Sequence, residues 1–331
     1  MALFNQITTP LFTIFAGSNS ATGMISRRNI RVKVMQTLYT LATLEKEIKP
    51  GQPVQLLQKH FDQSKELLLY LIHFFTAIPA YAETDSYVRS SRHLPTAEDL
   101  NVNTKIAGNE ILWRIKEDES YKSELEKLKP EGRIDKDLVR KIYLQLSATP
   151  EYQRYILKPE RNRKDEKEIL DFILDELLLT NEVFIAHLEE NFMNWDDDAD
   201  MAVQLLKAYL QKPGSFNFKE LVSADKMQFA KSLLTTVLEK SEHLETLIVP
   251  RLKNWDAERI ALLDMILMKM GVAEFLYFET IPPKVTINEY IDIAKEYSTQ
   301  QSGQFINGIL DSIHKDLVQQ NQLHKTDFRK A

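Results

Sequence analysis

Three arginines open the first helix that can be read in the chain, and they are the residues best suited to holding an anion. Ser26 is placed as an N-cap, and Ile30, Val34, Leu38 and Leu41 recur at helical spacing behind it. With roughly 100° of rotation per residue, Arg27, Arg28 and Arg31 fall within about a 100° sector, and Lys33 points elsewhere. Arg27 and Arg31 share the meridian of the apolar stripe. That places their guanidinium groups at the core edge, where they either reach a phosphate or pair with carboxylates of a neighbouring helix.

Other chemistry is sparse. The chain has no cysteine, which excludes disulfides, thiol catalysis and Cys-containing metal sites. Its seven histidines are scattered, without an HExxH or ExxH pair, so no zincin or di-iron bundle is indicated and no metal ligand set is assigned. Asp311 and His314 stand one turn apart and read as a helix-surface pair. There is no GxGxxG or GxxxxGK[ST] loop and no glycine-serine elbow, so neither a cofactor nor an enzyme is expected.

Two amphipathic helices near the C-terminus carry the densest pattern. Pro282 and Pro283 force a new helix start, after which Ile287, Tyr290, Ile291, Ala294 and Tyr297 make an apolar side. Short polar residues at 298–301 break that helix. Ser302 is placed to cap the next, which buries Phe305, Ile306, Ile309, Leu310, Ile313 and Leu317. Gly308 lies inside it. A mid-helix glycine costs about 1 kcal/mol relative to alanine, so a backbone or a ligand is expected to approach it closely.

This stretch, with Lys284-Val285-Thr286-Ile287-Asn288-Glu289, Ala294-Lys295, Tyr297 and Phe305-Ile306-Asn307-Gly308-Ile309-Leu310-Asp311, resembles the signature of the transcription antitermination factor NusB family. The arginine-rich start ending in Leu38-Tyr39 resembles its second motif, and 264–275, with Lys269, Gly271 and Glu274, a third. The resemblance covers about 26–47 and 227–317; the long stretch 50–226 between them reads as a helical insertion. It implies an all-α bundle in two subdomains and an RNA-binding antitermination or elongation adaptor. Its expected partners are single-stranded boxA-like RNA of the ribosomal leader, a NusE-type small-subunit ribosomal protein and, indirectly, the RNA polymerase elongation complex. By the same resemblance Arg27, Arg28, Arg31, Tyr297, Gln301 and Phe305 face RNA, while Tyr39 and Asp264 face the ribosomal protein. Three bland alternatives stand beside these: Phe305 in the core, Tyr39 covering the first helix, and Asp264 as internal partner of Arg31. Where the family carries an acid followed by Ser-His-Lys, this chain has Gln301-Ser302-Gly303-Gln304. Two other functions fit the resemblance: the RNA-binding part of a ribosomal RNA methyltransferase, and a helical protein-interaction scaffold without RNA binding.

The elements that must position these residues are helices throughout. Nine glycines in 331 residues are too few for a turn-rich sheet protein, and the length exceeds what one core usually serves. A net charge of −6 makes the whole chain no magnet for nucleic acid, so an RNA site would be a local basic patch. Residues 1–23 read as a leader preceding Met24, 24–226 as an enlarged N-terminal subdomain, 227–318 as the C-terminal subdomain and 319–331 as a polar tail. No segment reads as a membrane span, and a cytoplasmic location is expected. A second helix is expected to end at Pro79, followed by a long loop over 83–100. The mixed-charge run at 158–168 reads as a solvated connector or helix start. Leu174, Leu178, Glu182 and Asn194-Trp195-Asp196 recur sixty residues later as Leu234, Leu238, Glu242 and Asn254-Trp255-Asp256, with each Asp a candidate cap.

Overall fold

A computed structural model describes residues 25–44, 47–252 and 260–326 of the chain. Among them every regular element is helical. In chain order these are α1 (Arg27–Thr43), α2 (Gln52–Ser90), α3 (Ala97–Leu100), α4 (Glu110–Glu117), α5 (Glu119–Leu128), α6 (Lys136–Ser147), α7 (Pro150–Leu157) and α8 (Arg163–Phe172). They continue as α9 (Glu182–Asn191), α10 (Trp195–Gln211), α11 (Ala224–Glu239), α12 (Ser241–Ile248), α13 (Leu262–Tyr277), α14 (Pro283–Tyr297) and α15 (Gln300–Gln319). The all-α expectation holds. The Asn254-Trp255-Asp256 copy of the sixty-residue repeat, and the leader, lie outside the described residues.

α1 begins as its sequence dictates: the Ser26 hydroxyl accepts from the Asn29 amide at 3.1 Å, and Ile30, Val34, Leu38 and Leu41 are buried. It packs against α2 on one side and α11 and α13 on the others. α2 departs from expectation. It runs unbroken through Pro79 to Ser90, so together with α3 most of the loop expected over 83–100 is helix. An internal proline costs about 3 kcal/mol through its missing N–H and its clash one turn back. Phe74, Phe75, Ile78 and Ala82 around it are completely buried, and at about 1.5–3 kcal/mol for each large apolar side chain their burial outweighs that cost. α2 is also long and apolar enough to cross a membrane, against the sequence reading, but 67% of its most apolar window is buried inside the protein.

At the C-terminal end α13, α14 and α15 pack on one another. Gly271 makes this possible: a Cβ there would lie 2.9 Å from the Leu310 methyls. Gly303 does the same between α14 and α15, where a Cβ would meet Lys295 Cγ at 2.8 Å and the Ile291 carbonyl at 3.3 Å. Gly308, the glycine expected to admit a close neighbour, has open space around it. The cap of α15 is Thr299, whose hydroxyl accepts from the Ser302 amide at 3.0 Å, and Ser302 is buried in the first turn. Asp196 likewise is no cap, because α10 starts at Trp195 with Asn194 in the cap position.

Candidate functional site

The three arginines at the start of α1 meet three different fates. Arg31 is 2% exposed and forms a bidentate pair with Glu274, Nε to Oε1 at 2.7 Å and Nη2 to Oε2 at 3.1 Å. Its Nη1 also stands 3.5 Å from Glu289. Thr286 and Tyr290 donate to the same Glu274 carboxylate at 2.8 Å each. Burial by itself lowers the Arg31 pKa, but the Glu274 charge and hydrogen bonds outweigh it and the net shift is upward. A guanidinium so enclosed is unavailable to phosphate. Of the two sequence alternatives for Arg31, pairing with a neighbouring helix is the one realised, and the partner is Glu274 rather than Asp264.

Arg28 is half-buried against α14, 2.9 Å from Glu296 and 3.5 Å from Asp292. Arg27 is exposed, with its guanidinium carbon 5.6 Å from the centroid of the Phe229 ring. Among the described residues it has no carboxylate partner. Lys33, expected to point away, is almost fully buried and pairs with Asp198 at 2.6 Å. Ser64 and Asn194 donate to that aspartate at 2.8 and 2.7 Å, so this charge pair locks α1, α2 and α10 together. No helical period distinguishes a buried lysine from an exposed one, and this contact had no signal in the sequence.

The remaining expected residues divide into two groups. Gln301 is exposed on the first turn of α15, and Phe305 is half-buried against the core one turn on. With Gln304 and Gly308 they follow an outward strip at spacings of three and four. Tyr297, at the end of α14, instead shares a groove of about 710 Å³ with Tyr39. Its hydroxyl donates to the Asp197 carbonyl at 3.3 Å, and burial pushes its pKa up. The structure thus brings together one residue expected to face RNA and one expected to face protein. Leu262 and Leu263 of α13 line the same groove, while the adjacent Asp264 is buried with one carboxylate oxygen lacking a hydrogen-bond partner. Its place in the first turn of α13 puts it where the helix dipole favours a negative charge.

Three of the five basic residues at 158–168 are committed within the chain, while Lys164 and Lys167 make only surface pairs one turn along α8, with Glu168 and Asp171 at 3.7 Å each. Lys158 pairs with Asp165 at 2.6 Å, Arg161 donates to the carbonyls of Gly108 and Lys105 and lies 3.2 Å from Glu166, and Arg163 donates to the Gln211 carbonyl. The connector and helix-start reading is the one seen. Among the described residues no group of three or more His, Asp or Glu side chains is arranged to hold a metal ion.

The structure is an all-helical frame closed by the buried Arg31–Glu274 and Lys33–Asp198 pairs. The family model described as the NusB family matches residues 191–315, so α10 and the turn before it, counted in the sequence reading as part of the insertion, fall inside the match. The chain is similar to the transcription antitermination protein NusB of Chloroherpeton thalassium, 36% identical over 135 residues, covering 38% of this chain and 64% of that protein. It is similar to the same-named protein of Salinibacter ruber, 44% identical over 98 residues, covering 30% and 61%. With that of Methylacidiphilum infernorum it shares 43% identity over 101 residues, covering 30% of this chain and 70% of the relative. The chain belongs to the NusB family. It spans under two thirds of the length of the first two relatives, and no solved structure matches it.

Proposed function

We propose that the chain is a cytoplasmic transcription antitermination adaptor that binds single-stranded boxA-like RNA together with a NusE-type ribosomal protein, and through them acts on the elongating RNA polymerase. The observation that carries the RNA half is Arg27: an exposed guanidinium without a carboxylate partner among the described residues, held over the Phe229 ring at the start of a helix anchored by Arg31 and Glu274. Arg28 stands beside it, and its partner Glu296 directly precedes Tyr297 and the turn that leads to Gln301. In this reading Arg27 and Arg28 hold phosphates, and Arg28 exchanges its surface carboxylates for RNA. In the same reading Phe305 lies on the RNA-facing side of α15, and the Gln301 amide donates to and accepts from base edges. Gly308, with open space where a side chain would stand, lets the RNA backbone approach α15. Arg31 acts as the anchor rather than a contact. Tyr39, with Asp264 fixing the start of α13 behind it, belongs to the face that meets the ribosomal protein.

The test is fluorescence anisotropy of a boxA-like RNA and a scrambled control at about 50 and 200 mM salt, with and without the NusE-type protein. Two phosphate contacts at a slope of about −0.7 each give roughly a sevenfold loss of affinity over that range. The double variant Arg27→Ala, Arg28→Ala is expected to lose most of that salt dependence while remaining folded. Equal binding of boxA and scrambled RNA, or an unchanged slope in the double variant, defeats the proposal.

A further inference from the structure

The groove that holds Tyr39 is built by three parts of the chain. From the matched residues come Met193, Asp197, Leu262 and Tyr297; α1 gives Tyr39, and α2 gives Leu56, Lys59, His60 and Gln63, both of these helices lying outside the match. Its rim is unusually bare: Met193 is 95% exposed, Tyr39 45% and Leu262 41%. A cluster of an unbranched thioether, a ring and an aliphatic chain around a concavity is an adaptable seat for an apolar side chain. One end of the groove is acidic. Asp197 has Asp196, Asp198 and Glu296 around it, and the cation facing it, Lys33, is already paired with Asp198 at 2.6 Å. Among the described residues the Asp197 carboxylate has no hydrogen-bond or ion-pair partner, and the chain as a whole is acidic. Such a rim attracts a basic partner and repels an acidic one.

We infer that α2 completes the groove as a second wall, and that the occupant is a segment of a basic protein in which an apolar side chain, seated on Met193, Tyr39 and Leu262, lies next to a lysine or arginine that reaches Asp197. This rests on the reading of Tyr39 as a partner-facing residue and adds to it the contact surface that α2 supplies. A protein that packs on ribosomal RNA carries the required excess of cations. The partner's affinity then depends on residues that a chain lacking α2 does not have.

Because the chain has no cysteine, Lys59→Cys introduces a unique thiol for a benzophenone crosslinker, with Val183→Cys on exposed α9 as the control position. The full chain is titrated calorimetrically with purified NusE-type protein, alongside Asp197→Lys, Met193→Asp and Tyr39→Asp. All three replaced side chains are exposed, so folding is retained, as circular dichroism checks. The inference expects a light-dependent adduct from position 59 and none from 183, and about a tenfold loss of affinity in Asp197→Lys. If Tyr39→Asp weakens binding while position 59 gives no adduct and Asp197→Lys and Met193→Asp bind like the parent, the inference is overturned and the Tyr39 reading stands. If the parent chain does not bind the NusE-type protein at all, both fall.

Discussion

Glu274 in the matched part of the chain and Glu166 in the stretch before it are both buried carboxylates, yet the groups they gather come from very different distances along the sequence. Glu274 holds Arg31, 243 residues away, as well as Thr286 and Tyr290. Glu166 accepts from the Tyr155 hydroxyl at 2.9 Å, the Glu110 amide at 3.0 Å and Arg161 at 3.2 Å, at separations of 11, 56 and 5. One carboxylate ties α1 across the whole intervening stretch to the C-terminal helices. The other knits that stretch to itself. Loop-closure entropy grows only logarithmically with length, so a long helical segment can sit between α1 and its partners at small cost if it folds locally and if the returning contacts are strong. Both conditions are visible here.

The largest expected effect comes from breaking the long-range hub. Arg31→Ala leaves Glu274 buried without its cation and is expected to cost about 3–5 kcal/mol in urea unfolding. Arg27→Ala, one helical turn away on the same meridian, should stay within about 0.5 kcal/mol of the parent. Equal losses at the two positions would erase the distinction between anchor and surface arginine. Glu166→Ala orphans the Tyr155 hydroxyl and the Glu110 amide and is expected to cost about 1–3 kcal/mol. Hydrogen exchange should show that loss concentrated in α4, α7 and α8; opening that spreads equally to α13 and α14 would mean the two regions are not separately knitted.

A third test concerns the C-terminal tail, where Lys325 donates to the carbonyls of Glu274 and Phe278 at 2.8 and 2.7 Å. Burial holds its pKa down at about 8, against the pull of Glu274 and Glu279. The unfolded chain keeps the proton up to the usual lysine range, so it binds more protons than the native state between pH 8 and about 10.5, and stability contributed by this group rises with pH across that window. The rise is on the order of 1–2 kcal/mol after allowance for water around a half-buried side chain. Lys325→Met should lose it when melting curves are compared at pH 7 and pH 10. The smallest effect expected is a gain. Gly308→Ala fills open space on an exposed helical face and should stabilise the chain by about 0.5–1 kcal/mol, while boxA-like RNA binding weakens if α15 faces RNA closely. Unchanged RNA affinity in that variant would remove α15 around Gly308 from the contact.

Much of this architecture was legible before any coordinates. The stripe of Ile30, Val34, Leu38 and Leu41, the proline-forced start of α14 and the apolar side of α15 all follow from helical period and capping chemistry, which act within a few residues. The resemblance carried by Lys284 to Glu289 and Phe305 to Asp311 located the family, although it began the C-terminal part at 227 where the match begins at 191. Ser302 was expected to cap α15, but the helix starts one turn earlier and Thr299 takes that place, because either hydroxyl residue suits a cap and the path of the chain decides which one stands at the helix start.

What the sequence could not contain is the identity of the neighbour across each helix face. Arg27 and Arg31 lie on one meridian of α1, but one faces water and the other a carboxylate from residue 274, because periodicity specifies a direction and not what is packed there. Pro79 reads as a helix end by local rules, and packing around Ile78 and Ala82 overrides them. Tyr39 and Tyr297 share a groove only because α1, α2, α10 and α13 converge on it. Local sequence determined most of the helices and their apolar stripes; long-range packing, which sums many weak contacts between segments far apart in the chain, carried α2 through Pro79 and decided which charges are buried and which are free.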